Sequence, residues 1–189
     1  LRRPKLRGAL LCEDLEHERF FRRLLSTRWF GEGKLRVERI PNNQGAGDAW
    51  VLERYAREVR YARSKRGESY ALVVAIDGDR YKLQERLQQL DQKLSDESLP
   101  MRANAEKIAI FVPTRSIETW ELWLCGNREV DENGDFKELF KAAEGRGEAS
   151  ARAAAAAWFD TTEQNEIEQR RLPSLTAGRT EIERLDRRK

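Results

Sequence analysis

Tyr70-Ala-Leu-Val-Val-Ala-Ile76 is an unbroken run of seven apolar or aromatic positions that ends in Asp77-Gly78-Asp79. A run of that length, rich in β-branched residues and stopped by glycine, predicts a strand buried on both faces. Shorter runs and periodic stretches flank it. Gly8-Ala-Leu-Leu-Cys12 predicts a first strand. From Asp14 to Trp29, Leu15, Phe20, Phe21, Leu24 and Leu25 recur at helical spacing with arginines between them. Gly31 and Gly33 mark a turn, and Lys34 to Ile40 alternates as a strand nearer the sheet edge. Residues 41–48 (PNNQGAGD) form a loop, with Asp48 the expected N-cap of a helix over Ala49 to Lys65. Leu83, Leu87, Leu90 and Leu94 give a helix from Tyr81 one apolar face. Glu106 to Val112 is a fourth strand and Ser116 to Leu124 a short helix.

Strand followed by helix, four times over, predicts an α/β fold: a Rossmann-like, doubly wound, mainly parallel four-stranded sheet. The pattern changes after Gly126. Phe136 to Ala143 and the alanine-rich Ala149 to Phe159 read as helices, residues 161–171 are polar, and Pro173 is a break. Ser174 or Thr176 then opens a final charged helix. Residues 1–126 are thus read as the α/β domain and 127–189 as a helical appendage packed on it.

Composition narrows the classes. Of 189 residues, 39% are hydrophobic and 37% charged, enough for one core under a densely charged surface. The 36 basic and 33 acidic side chains leave a net charge of only +3, which does not mark a general polyanion binder. No apolar run approaches membrane-spanning length, and the N-terminus has no secretory stretch. Cys12 and Cys125 lack metal-ligand spacing, so reduced thiols in a cytoplasmic setting are expected.

In a parallel sheet the ligand site lies at the carboxyl ends of the strands. Glu13 follows the first strand, Asp77 and Asp79 the third, and Glu118 comes soon after the fourth. The two-residue spacing can aim Asp77 and Asp79 the same way. Asp-Gly-Asp alone is an ordinary turn sequence, and an acid at a helix start is common. Together these carboxylates repel one another, and a divalent cation relieves the cost of burying them. Oxygen ligands favour Mg²⁺ or Mn²⁺ over Zn²⁺, and such ions handle phosphoryl groups.

His17 lies one helical turn beyond Glu13. It reads either as a hydrogen-bonded helix residue or as a catalytic group: a phosphate contact, proton shuttle or metal ligand. Gly45 and Gly47 reach the same edge in a flexible loop, whose backbone N–H groups are also suited to a phosphate. Arg80, Lys82 and Arg115 could offset phosphate charge or simply be solvated. Trp50, Tyr55, Trp120 and Trp123 have the spacing of core residues.

Strand–Glu13 followed by strand–Asp77-Gly-Asp79 resembles the TOPRIM domain of topoisomerases, DnaG-type primases and OLD-family nucleases. The closer resemblance is to bacterial TOPRIM-like proteins of the OLD-nuclease, abortive-infection (phage-defence) type. It rests on Leu10-Leu-Cys-Glu13, Phe20-Phe-Arg-Arg-Leu-Leu25 and Ile117-Glu118-Thr-Trp120, and spans roughly residues 8–125. The resemblance implies a nuclease that hydrolyses phosphodiester bonds in DNA or RNA with Mg²⁺ or Mn²⁺. Glu13 would be acid/base or metal ligand, Asp77 and Asp79 ligands, and Glu118 an additional one. It also implies nucleic acid as partner, with an ABC- or AAA-type ATPase or a homo-oligomer completing the assembly. The alternative is a non-catalytic nucleotide- or nucleic-acid-binding subunit of a defence complex. At one point the chain departs from the pattern, where Asp14 replaces the glycine that usually follows the glutamate.

Overall fold

A computed structural model describes residues 5–41, 46–65, 69–143, 147–160 and 165–186. Strands β1 (Leu6–Cys12), β2 (Phe30–Arg39), β3 (Tyr70–Ala75) and β4 (Ile108–Phe111) form one sheet in the order β2-β1-β3-β4. Every pairing is parallel. Helices α1 (Leu15–Arg28), α2 (Gly47–Ser64) and α3 (Leu83–Asp96) link the strands, and α4 (Ile117–Leu124) follows the last.

Strand alternation sorts the side chains into two cores. Leu10, Cys12, Val73, Ala75 and Phe111 pack with α1 and α4 on one face. Ala9, Leu11, Leu72, Val74 and Ile110 pack with α2 and α3 on the other. Both faces of β3 are covered, which is why its sequence is apolar without alternation. The protein is therefore a doubly wound, Rossmann-like α/β fold.

Beyond Gly126 come α5 (Lys137–Ala142), α6 (Glu148–Ala157), α7 (Asn165–Arg171), α8 (Pro173–Ile182) and a 3₁₀ turn at Glu183–Asp186. They share the first core. Trp158 meets Phe20, Phe111 and Trp120 at ring separations of 5.9, 6.3 and 5.8 Å. Each such buried aromatic contributes roughly 1.5–3 kcal/mol. Helix α8 also covers the outer edge of β4. Glu181 accepts from the Ile110 N–H (3.0 Å), and Arg102, paired with Glu181, donates to the Ile108 carbonyl (2.9 Å).

Three local expectations change. The Gly31–Gly33 turn is a bulge within β2: Leu6 pairs with Phe30 but Gly8 with Leu35, and Gly33 takes φ +65°, as glycine allows. Helix α2 starts at Gly47 behind Ala46, and the Asp48 carboxylate bonds the Ala49 N–H instead of capping from outside. Pro173 opens α8, since its missing N–H costs nothing at a first helical position. Among the described residues no helix is long and apolar enough to cross a membrane.

Candidate functional site

Cys12 and Ala75 are register partners, so the chain leaves β1 and β3 side by side. Glu13 comes directly after β1, and one of its carboxylate oxygens accepts the Asp77 N–H at 2.8 Å. Asp14 then caps α1, accepting from the His17 N–H (3.0 Å) and from Nδ1 of the His17 ring (2.9 Å). With Nδ1 held on Asp14, Nε2 faces Asp77 Oδ1 at 3.1 Å. Both atoms are buried, and the contact is an ion pair when the imidazole is protonated. Glu13, His17 and Asp77 are 8%, 0% and 4% exposed.

Burial shapes their protonation. Burial and the nearby Asp77 charge push the Glu13 carboxyl up to about 8. Burial also pushes Asp77 up to about 6, against the opposing pull of the His17 charge. For His17, burial works downward, but the Asp77 charge and the contacts with Asp14 and Asp77 outweigh it and hold the imidazole well above its usual value. For Asp14, burial works upward, and His17 overrides it to hold the carboxyl well below the ordinary range. A neutral imidazole donating through Nδ1 would turn a bare lone pair on Nε2 toward the carboxylate. A proton on Nε2 makes the pair a buried ion pair, in keeping with the raised imidazole.

The expectation that Asp79 points with Asp77 changes, because β3 ends at Ala75 and strand alternation ends with it. Asp79 has φ +51°, and its side chain turns outward to Arg86 at 3.4 Å. The Asp77–Asp79 turn is fastened to the loop after β4: the Gly78 N–H donates to Pro113 O (2.7 Å) and the Asp79 N–H to Arg115 O (3.2 Å). Glu118 stands in the first turn of α4, half-buried, where its charge acts on Asp77. Gly47 packs against Glu13 so closely that a Cβ would lie 2.9 Å from the Glu13 Cβ, which supplies a steric reason for glycine there. Gly45 lies outside the described residues. Lys82 precedes α3 and is exposed.

Three residues of the site carried no reading from the sequence. Arg86, 1% exposed, donates to the Asp77 carbonyl (2.9 Å) and lies 3.4 Å from both Asp48 and Asp79. The signal for it was present, since position 86 falls on the Leu83–Leu90 face of α3. Lys137 comes from α5, and no spacing along the chain links it to the sheet. Burial lowers its tendency to hold a proton, but the charges of Asp77, Glu118 and Asp79 reverse that and raise it. Glu121, fully buried on α4, accepts from Ser150 Oγ at 2.7 Å, and burial pushes it up to about 8. Of the aromatic residues, Tyr55, Trp120 and Trp123 are core, while half-buried Trp50 carries the Arg54 guanidinium 3.6 Å over its ring.

Beside the buried carboxylates lies an open cleft of about 160 Å³, lined by Asp79, Arg80, Arg115, Ser116, Asp135 and Lys137. Among the described residues no three His, Cys, Asp or Glu side chains converge tightly enough to form a protein-only metal cage. No family model, curated protein or solved structure matches the chain.

Proposed function

We propose that the protein is a Mg²⁺- or Mn²⁺-dependent nuclease, hydrolysing phosphodiester bonds in DNA or RNA at the carboxyl edge of its sheet. One observation carries the reading: His17 Nε2 and Asp77 Oδ1 pair at 3.1 Å beside Glu13, so that two carboxyl groups and an imidazole share one buried place at the carboxyl edge of the sheet. Carboxylates buried side by side repel one another, and a cation relieves that cost. Magnesium is commonly held by one or two carboxylates, with water and substrate phosphate completing its shell. Asp77 and Glu13 would hold the ion, and the charge of half-buried Glu118 acts on the same place. A metal there would polarise a phosphoryl oxygen and lower the pKa of bound water.

The chain's own residues supply the rest. Glu13, whose carboxyl is pushed up to about 8 by burial and the Asp77 charge, would exchange a proton with water and with a leaving oxygen. His17, anchored by Asp14, fixes the Asp77 carboxylate and balances its charge. The resemblance to TOPRIM-like proteins favours the same chemistry and suggests an ATPase or a second copy of the chain as partner in a defence setting.

A second reading, a non-catalytic nucleic-acid-binding subunit, is favoured by the lack of three converging ligands among the described residues. Cleavage of labelled DNA and RNA in Mg²⁺ and in Mn²⁺ separates the two. Wild type is expected to cut, and Glu13→Gln and Asp77→Asn, folded as judged by circular dichroism, to lose about 10²–10⁴-fold in rate. Equal cleavage by the variants, or none by wild type, sinks the catalytic reading.

A further inference from the structure

The open cleft beside the carboxylates gathers cations of an unusual kind for this protein. Its other arginines are commonly paired with carboxylates, as Arg19, Arg22, Arg36, Arg63 and Arg102 are. The three cations lining the cleft are not. Arg80 reaches only the Tyr81 hydroxyl (3.1 Å) and covers its ring. Arg115 donates to the Asn133 carbonyl (3.3 Å). The Lys137 ammonium has no hydrogen bond and no ion pair among the described residues, although it lies within the field of Asp77, Glu118, Asp79 and Asp135.

A further observation points to a ligand. Ser116 lines the same cleft and is 1% exposed, yet its Oγ has no hydrogen-bond partner. It is also the N-cap residue of α4 and makes no side-chain capping bond there, so the positive end of that helix opens on the cleft. A buried hydroxyl without a hydrogen-bond partner at a helix N-terminus, in a cleft where three cations outnumber the carboxylates of Asp79 and Asp135, is arranged for an anion with several acceptor oxygens.

We propose that this cleft receives a backbone phosphate of a nucleic-acid strand, gripped by Lys137, Arg115 and Arg80 and hydrogen-bonded by Ser116. The assignment rests on the nuclease reading above, and makes helix α5 part of the substrate site. At about 160 Å³ the cleft is smaller than the roughly 300–1,000 Å³ typical of whole-ligand pockets, so it takes a group and not an entire nucleotide. No aromatic ring lines it, so it offers no stacking platform for a base. Phosphate contacts position a strand without reading its sequence. The substrate class is therefore a polynucleotide held by its backbone, with little sequence preference from this subsite.

The test is binding without metal, so that it stands apart from cleavage. The full chain in EDTA is titrated into fluorescein-labelled mixed-sequence oligonucleotides, with and without a 5′-phosphate, and anisotropy is followed over a range of salt. Lys137→Ala and Arg115→Ala are each expected to weaken binding about 5- to 20-fold and to reduce the log–log salt slope by about 0.7 per lost contact. Lys137→Arg should restore most of the affinity, and Ser116→Ala should cost a smaller factor. Inorganic phosphate should compete, and strands with and without the 5′-phosphate should bind alike. Wild-type affinity and slope in both alanine variants would overturn the assignment, as would a wild type that binds no strand at low salt. Binding only to the 5′-phosphorylated strand would overturn it in favour of a chain-end site. Loss of cleavage with this binding pattern intact would sink the nuclease reading and leave the phosphate cleft standing.

Discussion

The carboxyl edge of the sheet has two unlike halves. Glu13, His17 and Asp77 are buried, with the exposed Asp14 holding His17, and acids outnumber cations. Around Arg80, Arg115 and Lys137 the surface is open, and the cations lack carboxylate partners within the described residues. Burial makes the difference. Where water is excluded, a carboxylate keeps its charge only with help, so the Glu13 carboxyl is pushed up and Asp77 leans on His17. Where water reaches, unpaired cations cost little and remain free for an incoming anion. An acid-lined interior beside an opening where three cations outnumber two carboxylates suits a substrate that brings negative oxygens to a bound metal.

Arg86 ties the halves together, reaching the Asp77 carbonyl on the buried side and Asp79 on the open side. Breaking that tie should have the largest effect on stability. Arg86→Ala leaves the buried Asp77 carbonyl without its donor and partly exposed Asp48 and Asp79 without their cation, and is expected to cost about 1.5–3 kcal/mol in urea denaturation. A loss below about 1 kcal/mol would mean that the two halves are held independently.

The next effect is that of pH on the buried half. Glu13 and Asp77 keep protons in the folded protein at pH values where the unfolded chain has released them. Their contribution to stability is full below their ordinary values, near 4.5 and 3.8, and is lost as pH rises through about 6 for Asp77 and about 8 for Glu13. His17, also raised, acts in the same sense, its contribution present below 6.5 and lost as pH rises through its folded value. Asp14, lowered, acts in the opposite sense, and its contribution is lost only as pH falls below the ordinary carboxylate range. The Tm of the EDTA-treated protein should therefore fall between about pH 5 and pH 9, and fall less in Glu13→Gln. A slope identical in wild type and variant would remove Glu13 from the account.

Glu121 gives the smallest effect and the sharpest control. It is buried and raised like Glu13, but it bonds Ser150 instead of the carboxylate pair. Held neutral at pH 7, it should accept Glu121→Gln within about 0.5 kcal/mol, since an amide replaces a neutral acid of the same shape. A loss of several kcal/mol would show an ionised Glu121 holding a cation of its own.

Much of this architecture is written in local pattern. The run ending at Asp77 and the shorter one ending at Cys12 are strands because two helix-covered faces demand apolar residues at every position. Glu13 and Asp77 were legible because strand ends in a parallel sheet converge whatever the intervening sequence. What was not legible depends on tertiary partners. Phe30 to Gly33 joins β2 because β1 lies beside it, not because the glycines favour a strand. Residues 165–171 look polar along the chain, yet form a helix with Glu168 buried under the Arg179 guanidinium (2.6 Å). Asp79 leaves its expected direction because the loop after β4 captures its N–H, and Lys137 reaches the site only through the packing of α5.

The central claim is that the buried half of the edge is a cation site. Isothermal titration of Mg²⁺ and Mn²⁺ into the full chain, beside the Asp77→Asn, Asp79→Asn double variant, tests it most directly. The account predicts saturable binding in wild type that strengthens as pH rises toward 8 and disappears in the folded variant. Equal isotherms for the two proteins, or a wild type that takes up neither ion, would contradict it.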